Sequence, residues 1–205
     1  MSSTKRLAIA GIIAAALTLT ACTGTGTPNP TGSASETPTP TPSATAITGE
    51  APADENEAID QAEATIELLL ATQTRVTEAG GTDTAAFEAV ATGNALRTYV
   101  ADAEGIANGP TLNEDGESIE GPSTVEGSVV FEPTTAYGQE YEGIANGLVI
   151  VPGCLDGSGR KITTADGKPA MQNPNPRNEV EFHVIYNAET QTWLVNDRIS
   201  LGTTC

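Results

Sequence analysis

Hydrophobic positions recur with helical spacing just after residue 54. The apolar side chains fall on one stripe of a helix, at Ile59, Ala62, Ile66, Leu69, Leu70 and Val76. Asp54 precedes them as a potential N-cap, and Glu57 stands three positions later in a capping-box arrangement. Gly80 and Gly81 follow the last apolar position and would end the helix. The pattern therefore predicts a long amphipathic helix between these signals.

Two shorter helical patterns follow, and after them the hydrophobic positions recur at every second residue. A second helix is predicted from about Asp83 and a third from about Asn94, before a turn-rich connection. Strands are predicted over 125–131, 160–164 and both sides of an Asn146-Gly147 turn. Clean alternation predicts two further strands, with apolar positions at Val180, Phe182, Val184 and Tyr186, then at Trp193, Val195, Ile199 and Leu201. Helices first and strands later predict an α+β fold with an antiparallel sheet.

The N-terminus has the organisation of an export signal. Lys5 and Arg6 precede an uncharged apolar run of 15 residues, 7–21, which is shorter than the ~20 residues that span a bilayer. Leu19, Thr20, Ala21 and Cys22 resemble the lipobox of bacterial lipoproteins. The resemblance implies that residues 1–21 are removed and that Cys22 carries a thioether-linked diacylglycerol. An ordinary secreted or single-span protein with an incidental cysteine is the alternative.

Residues 22–49 differ in composition from the rest of the chain. Thr, Pro, Ser, Gly and Ala dominate, and no apolar periodicity is present. Such a segment cannot offset the entropy of ordering, so we expect a disordered linker between the lipidated Cys22 and a single α+β domain at 50–205. The linker is either a plain tether or a site of O-glycosylation.

The charge of the chain is strongly negative. Its net charge is −18, and loss of residues 1–21 would leave 7 basic against 27 acidic residues, a net charge of −20. No basic cluster is present, which argues against a nucleic-acid partner. An anionic domain gains nothing from an anionic lipid surface, so the lipid alone would hold the protein at the membrane.

Three segments carry a resemblance to a known family. ATGNALRTY lies in the third predicted helix, VPGCLDGSGRKITTADGKP in the sheet region and TWLVNDRISLGTTC at the end. Together they resemble small actinobacterial lipoproteins of the nuclear transport factor 2-like, cystatin-like superfamily, over roughly residues 55–205. The resemblance implies a curved antiparallel sheet wrapped around a long helix, forming a cone with a pocket at its mouth.

Two cysteines remain once Cys22 is acylated. An exported pair is best explained as one disulfide, between Cys154 and Cys205. A redox-active or metal-binding pair is the alternative, but the chain has no CxxC spacing and His183 is its single histidine. We predict no metal and no cofactor.

One acidic residue is a candidate for catalysis. Enzymes of the resembled superfamily include isomerases and dehydratases that use an Asp, or an Asp–His pair, in an apolar cavity. Asp197 is the strand acid in register with Trp193 and Val195, so it is the candidate general base. The alternative is a structural Asp197, paired with Arg198 or a backbone amide. We expect His183 to face solvent, on the side of its strand opposite Phe182.

These observations favour a binding protein over an enzyme. We expect a lipid-anchored protein on the extracytoplasmic face of the cell membrane, acting as a non-enzymatic binding or accessory module of the envelope. Its partner would be an envelope protein or a small apolar ligand. The alternative is a small isomerase- or dehydratase-like enzyme with Asp197 as its base.

The lipobox makes a direct prediction. Cells fed a tagged fatty acid should label the wild-type protein and the linker control Thr25→Ala, but not Cys22→Ala, because only Cys22 supplies the acceptor thiol. The label is measured on the purified protein, and mass spectrometry of its first peptide locates the modification. Unlabelled wild-type protein, or a labelled Cys22→Ala variant, would contradict the anchor.

Overall fold

The structure is a computed structural model, and it describes residues 45–205. The predicted signal peptide, Cys22 and the linker up to residue 44 lie outside the described residues. Two α-helices, α1 at Glu55–Glu78 and α2 at Gly93–Asn108, flank a 3₁₀ helix at Thr84–Ala89. Strands follow these helices, as the order of patterns in the sequence predicted.

Helix α1 begins and ends at the predicted signals. The Asp54 carboxylate accepts a hydrogen bond of 3.0 Å from the Glu57 backbone N–H. The Glu57 carboxylate accepts one of 2.8 Å from the Ala53 N–H, one residue before the N-cap, whereas in the predicted capping box it would accept from the Asp54 N–H. At the other end Gly80 and Gly81 adopt positive φ angles and bond back to the last turn of the helix.

Within residues 45–205, nine strands form one main sheet and two small ones. They are β1 Thr111–Leu112, β2 Ser118–Ile119, β3 Thr124–Glu126, β4 Val130–Pro133, β5 Tyr137–Tyr141, β6 Ile144–Asp156, β7 Lys161–Thr163, β8 Arg177–Asn187 and β9 Thr192–Ser200. The main sheet has the order β4-β6-β8-β9, with β5 also paired to β6, and all of these pairs are antiparallel. The sheet is open, and the fold is α+β.

Both long helices pack on one face of this sheet, which we call the inner face; the opposite side is the outer face. The inner face consists of the alternating positions Val149, Val151, Val180, Phe182, Val184, Tyr186, Trp193 and Val195, all buried. The apolar stripe of α1 and the buried side of α2 complete the same core. The predicted packing of N-terminal helices on an antiparallel sheet is therefore confirmed.

Two local predictions were wrong. Asn146 and Gly147 do not form a turn but lie inside β6, where Asn146 accompanies a bulge opposite β5. The turn is made by Glu142 and Gly143, whose φ angles of 50° and 80° suit a two-residue hairpin loop. The predicted strand 125–131 is split between β3 and β4, because Gly127 (φ 77°) turns the chain against the Gly159 backbone.

Contacts of the sheet with the chain extend to residues before 50. The Ile47 carbonyl accepts a hydrogen bond from the Trp193 N–H, and the Gly49 N–H donates to the Gln191 carbonyl. The Tyr186 hydroxyl also donates to the Gly49 carbonyl, at 2.9 Å. The end of the predicted linker is thus attached to β8 and β9.

Cys154 and Cys205 are joined by a disulfide, as predicted, with their Cα atoms 5.9 Å apart. Cys154 lies on β6, and the bond attaches the chain terminus to the middle of the sheet. The bridged residues are separated by 51 positions. Closure of a loop of that size restricts the unfolded chain far more than the folded one.

The double variant Cys154→Ser/Cys205→Ser should lower the free energy of unfolding by up to about 4 kcal/mol, the chain-entropy value for such a loop. Urea unfolding of the exported protein measures the change. Reductant added to the wild type should reproduce the loss and leave the double variant unaffected. Equal stability of oxidised and reduced wild type would contradict a stabilising disulfide.

Candidate functional site

A β-bulge in β9 determines which side chains reach the inner face at the end of the sheet. Val195 pairs with Val184, but the next pair along β8 is His183 with Asp197, so Asn196 is an extra residue. Such an insertion exchanges the faces of every later side chain. Beyond the bulge, Arg198 pairs with the core residue Phe182 and therefore lies on the inner face.

The start of α2 fits this bulge. The Thr92 N–H donates to the Val195 carbonyl at 2.9 Å, and the Asn94 side-chain amide donates to Asp197 Oδ1 at 2.8 Å. Gly93 has a φ of +55°, and a Cβ atom there would collide with the Asn196 side-chain oxygen. The start of α2 therefore packs closely against the bulge, and this close approach explains the glycine at position 93.

The prediction that Asp197 shares the apolar face of Trp193 and Val195 was wrong. Because of the bulge, Asp197 lies on the outer face beside His183. Its Oδ1 accepts the Asn94 amide and the Arg198 backbone N–H, both at 2.8 Å. These bonds correspond to the structural role that was the alternative for this residue.

His183 lies on the outer face, as predicted, but its side chain is only 24% exposed. Its Nε2 atom is buried, is 3.8 Å from the Glu181 carboxylate and forms no hydrogen bond within residues 45–205. His183 is therefore half-buried among sheet neighbours rather than freely solvated.

A cavity of about 630 Å³ opens where β6 ends, β8 begins and β9 ends, on the inner face. We call it the inner cavity. The sheet contributes Leu155, Val180 and Ser200, while α2 contributes Tyr99 and Asp102. Loops complete the wall, with Arg160, Met171, Asn173 and Pro176 among them. The lining combines apolar and polar groups in similar measure.

One basic residue of this cavity is already neutralised. The Arg160 guanidinium donates two bonds to the Asp102 carboxylate, Nη2 to Oδ2 at 3.0 Å and Nη1 to Oδ1 at 3.3 Å. The Gln73 amide donates a further bond of 2.9 Å to Asp102 Oδ2. A bidentate pair with an added amide is a stable, directed arrangement. It ties α1 and α2 to the loop that carries Arg160.

A second basic residue faces the cavity without such a partner. The Arg198 guanidinium carbon lies 5.5 Å from the centre of the Tyr99 ring, within the range of a cation–π contact. Within the described chain no carboxylate forms a salt bridge with Arg198.

Tyr99 is almost fully buried, and its hydroxyl has no hydrogen-bond partner in the part of the chain that the structure describes. Burial raises the pKa of Tyr99, while the Arg198 charge and the approach of its N–H groups to the hydroxyl oxygen oppose the rise. This approach does not reach hydrogen-bond geometry, so the hydroxyl proton still lacks an acceptor within residues 45–205.

No sequence pattern marked Tyr99, Arg160 or Arg198 as site residues. The third predicted helix gives Tyr99 an ordinary core position, and the sequence indicates Arg198 only as one possible partner in the alternative, structural role of Asp197. The rarity of basic residues is a signal that could have identified these arginines. Seven basic residues follow Cys22, and Arg160 and Arg198 are two of them. A basic side chain placed at a core edge in so acidic a protein calls for a specific partner.

A second concavity, of about 810 Å³, lies between α1 and β4. Ile66, Leu70 and Phe131 form its apolar base, and Glu63 and Glu67 lie at its rim. None of the residues predicted as site residues lines it.

Comparison with protein-family models, with curated proteins and with solved structures finds no match to this chain. Among residues 45–205, no helix has the length and apolar character needed to cross a membrane. The same residues contain no group of three or more His, Cys, Asp or Glu side chains arranged to hold a metal ion.

The Asp102 network makes a stability prediction. Asp102→Asn should lower the free energy of unfolding by about 1–3 kcal/mol, because it leaves the largely buried Arg160 without its counter-charge. Asp83→Asn is the matched control, since Asp83 pairs with Arg75 but is 57% exposed, and its loss should be below about 1 kcal/mol. Chemical denaturation measures both, and equal losses would contradict a special role for Asp102.

Proposed function

We propose that this protein is a lipid-anchored, non-enzymatic binding module of the cell envelope that takes a small organic ligand in the inner cavity. Cys22 would hold it at the extracytoplasmic face of the cell membrane, and the linker would present the domain of residues 50–205 away from the surface. The observation that carries the proposal is the cavity of about 630 Å³ on the inner face. Cavities of this size are typical of small-molecule sites.

The domain is further proposed to be a cone of the nuclear transport factor 2-like type. Support comes from an antiparallel sheet whose inner face receives a long helix. In this proposal the cavity at the end of that face would be the pocket that the resemblance implies at the mouth of the cone. The three sequence segments that carry the resemblance contribute Tyr99, Leu155, Arg160 and Arg198 to the cavity wall.

Binding is favoured over catalysis because of the position of Asp197. The isomerase- or dehydratase-like alternative needs the Asp197 carboxylate inside the apolar cavity, where burial would adjust its pKa for proton transfer. Asp197 instead lies on the outer face, held by Asn94 and a backbone N–H. The polar groups that do line the cavity are suited to recognition of a ligand.

An uncharged fluorescent probe, N-phenyl-1-naphthylamine, tests ligand binding in the cavity. The mature chain, residues 22–205 with Cys22→Ser, is exported through an ordinary signal peptide so that no acyl chain competes for the probe. Ser200→Trp should weaken binding by about tenfold or more, because Ser200 lines the inner cavity and the new ring would fill it.

Ile199→Trp is the control, since Ile199 pairs with Glu181 on the outer face and is already 37% exposed. This variant should bind the probe as the parent protein does. An equal loss in both tryptophan variants, or a parent chain that binds neither this probe nor its acidic analogue, would overturn the proposal.

A further inference from the structure

We infer that the ligand of the inner cavity is an amphipathic organic anion whose single acid group binds the Arg198 guanidinium and the Tyr99 hydroxyl. The inference rests on the proposed function, since it names the class of ligand for the same cavity. It follows from the charge balance, the unpartnered hydroxyl and the lining of the site.

The charge balance singles out Arg198. Of the seven basic residues after Cys22, four form salt bridges, namely Arg75, Arg160, Lys168 and Arg177. Arg97 and Lys161 are exposed, so water solvates their charges. Within residues 45–205, Arg198 is the basic side chain that is both half-buried and without a carboxylate partner. A partly desolvated guanidinium is stabilised by an anion, and residues 45–205 place no carboxylate within salt-bridge distance of Arg198.

The Tyr99 hydroxyl is a second group with unused hydrogen-bonding capacity. Tyr99 lines the same cavity, lies under the Arg198 guanidinium and has no bonding partner in the described chain. A buried hydroxyl without a partner is costly, and a ligand oxygen that accepts its hydrogen removes the cost. The two donors are adjacent, as recognition of one acid group with several oxygens requires.

The net charge of the cavity limits the ligand to one negative charge. Asp102 compensates Arg160 through two hydrogen bonds, so Arg198 is left as the uncompensated charge of the wall. The protein as a whole is strongly acidic and would repel a multiply charged anion.

The rest of the wall of the inner cavity suits the apolar part of a ligand. Leu155, Val180, Ile162 and Pro176 contribute apolar surface, and Met171 stands at the opening with 57% exposure. Thioether side chains adapt to ligands of different shape. An acid group at one end and an apolar body at the other therefore match the two parts of the cavity.

Two dyes with the same ring skeleton test the inference. 8-Anilinonaphthalene-1-sulfonate carries one acid group, and N-phenyl-1-naphthylamine lacks it. Both are titrated by fluorescence against the mature Cys22→Ser chain, its Arg198→Gln variant and the control Arg97→Gln, which removes an equal charge from an exposed position of α2. Thermal unfolding followed by circular dichroism shows that each variant is folded.

The parent chain should bind the sulfonate about tenfold or more tightly than the uncharged dye. Arg198→Gln should abolish this preference and change the affinity for the uncharged dye less than about twofold, while Arg97→Gln should leave both affinities unchanged. Tyr99→Phe should weaken sulfonate binding alone and should not lower the unfolding temperature, because it removes a hydroxyl without a partner. If Arg198→Gln fails to fold, Arg198→Lys is used in its place. Lysine keeps the positive charge but lacks the planar guanidinium, so this variant should retain only part of the preference for the sulfonate.

Each other result overturns a specific claim. Equal binding of the two dyes, or equal effects of Arg198→Gln and Arg97→Gln, would refute the anionic ligand and leave the cavity as a binding site. Binding of neither dye, or binding that Ser200→Trp does not weaken, would refute the proposed function and this inference together.

Discussion

The extra residue at Asn196 in β9 is the constraint on which the rest of the site depends. A strand exposes alternate residues to opposite faces, so one inserted residue transfers Arg198 to the inner face and Asp197 to the outer face. The bulge is not an isolated defect, because the first turn of α2 packs on it through Gly93 and Asn94. The helix that supplies Tyr99 and the strand that supplies Arg198 are thereby fixed relative to each other.

The charges around the cavity form a second level of organisation. Asp102 receives bonds from Arg160 and Gln73, so it joins α1, α2 and the loop before β7 while it neutralises one of two arginines. Arg198 is left over the Tyr99 ring, which holds the guanidinium by its face and offers no counter-charge. A protein with a net charge of −18 thus places an uncompensated positive charge at a cavity. This local reversal of sign would be the physical basis of the selective binding that we propose.

Much of the fold could be predicted from local patterns, because those patterns carry their own physical causes. The Asp54 cap, the terminal pair of glycines and the alternation along β8 each fix a local structure without help from distant residues. The position of the hairpin turn, at Glu142-Gly143 instead of Asn146-Gly147, and the face of Asp197 could not be predicted in the same way. Both depend on bulges, and a bulge is decided by the register of the neighbouring strand and by packing such as Gly93 against Asn196. The candidate site was missed for the same reason, since simple alternation places Asp197 where Arg198 lies.

The most direct test is the orientation of side chains after the bulge, measured by nuclear Overhauser effects in a chain of residues 22–205 that carries Cys22→Ser. The account predicts contacts between the ring protons of Tyr99 and the side-chain methylenes of Arg198, together with contacts of Asp197 with His183 on the outer face. Contacts from the Tyr99 ring to Asp197 or Ile199 instead would show uninterrupted alternation, and would contradict both the bulge and the cavity chemistry derived from it.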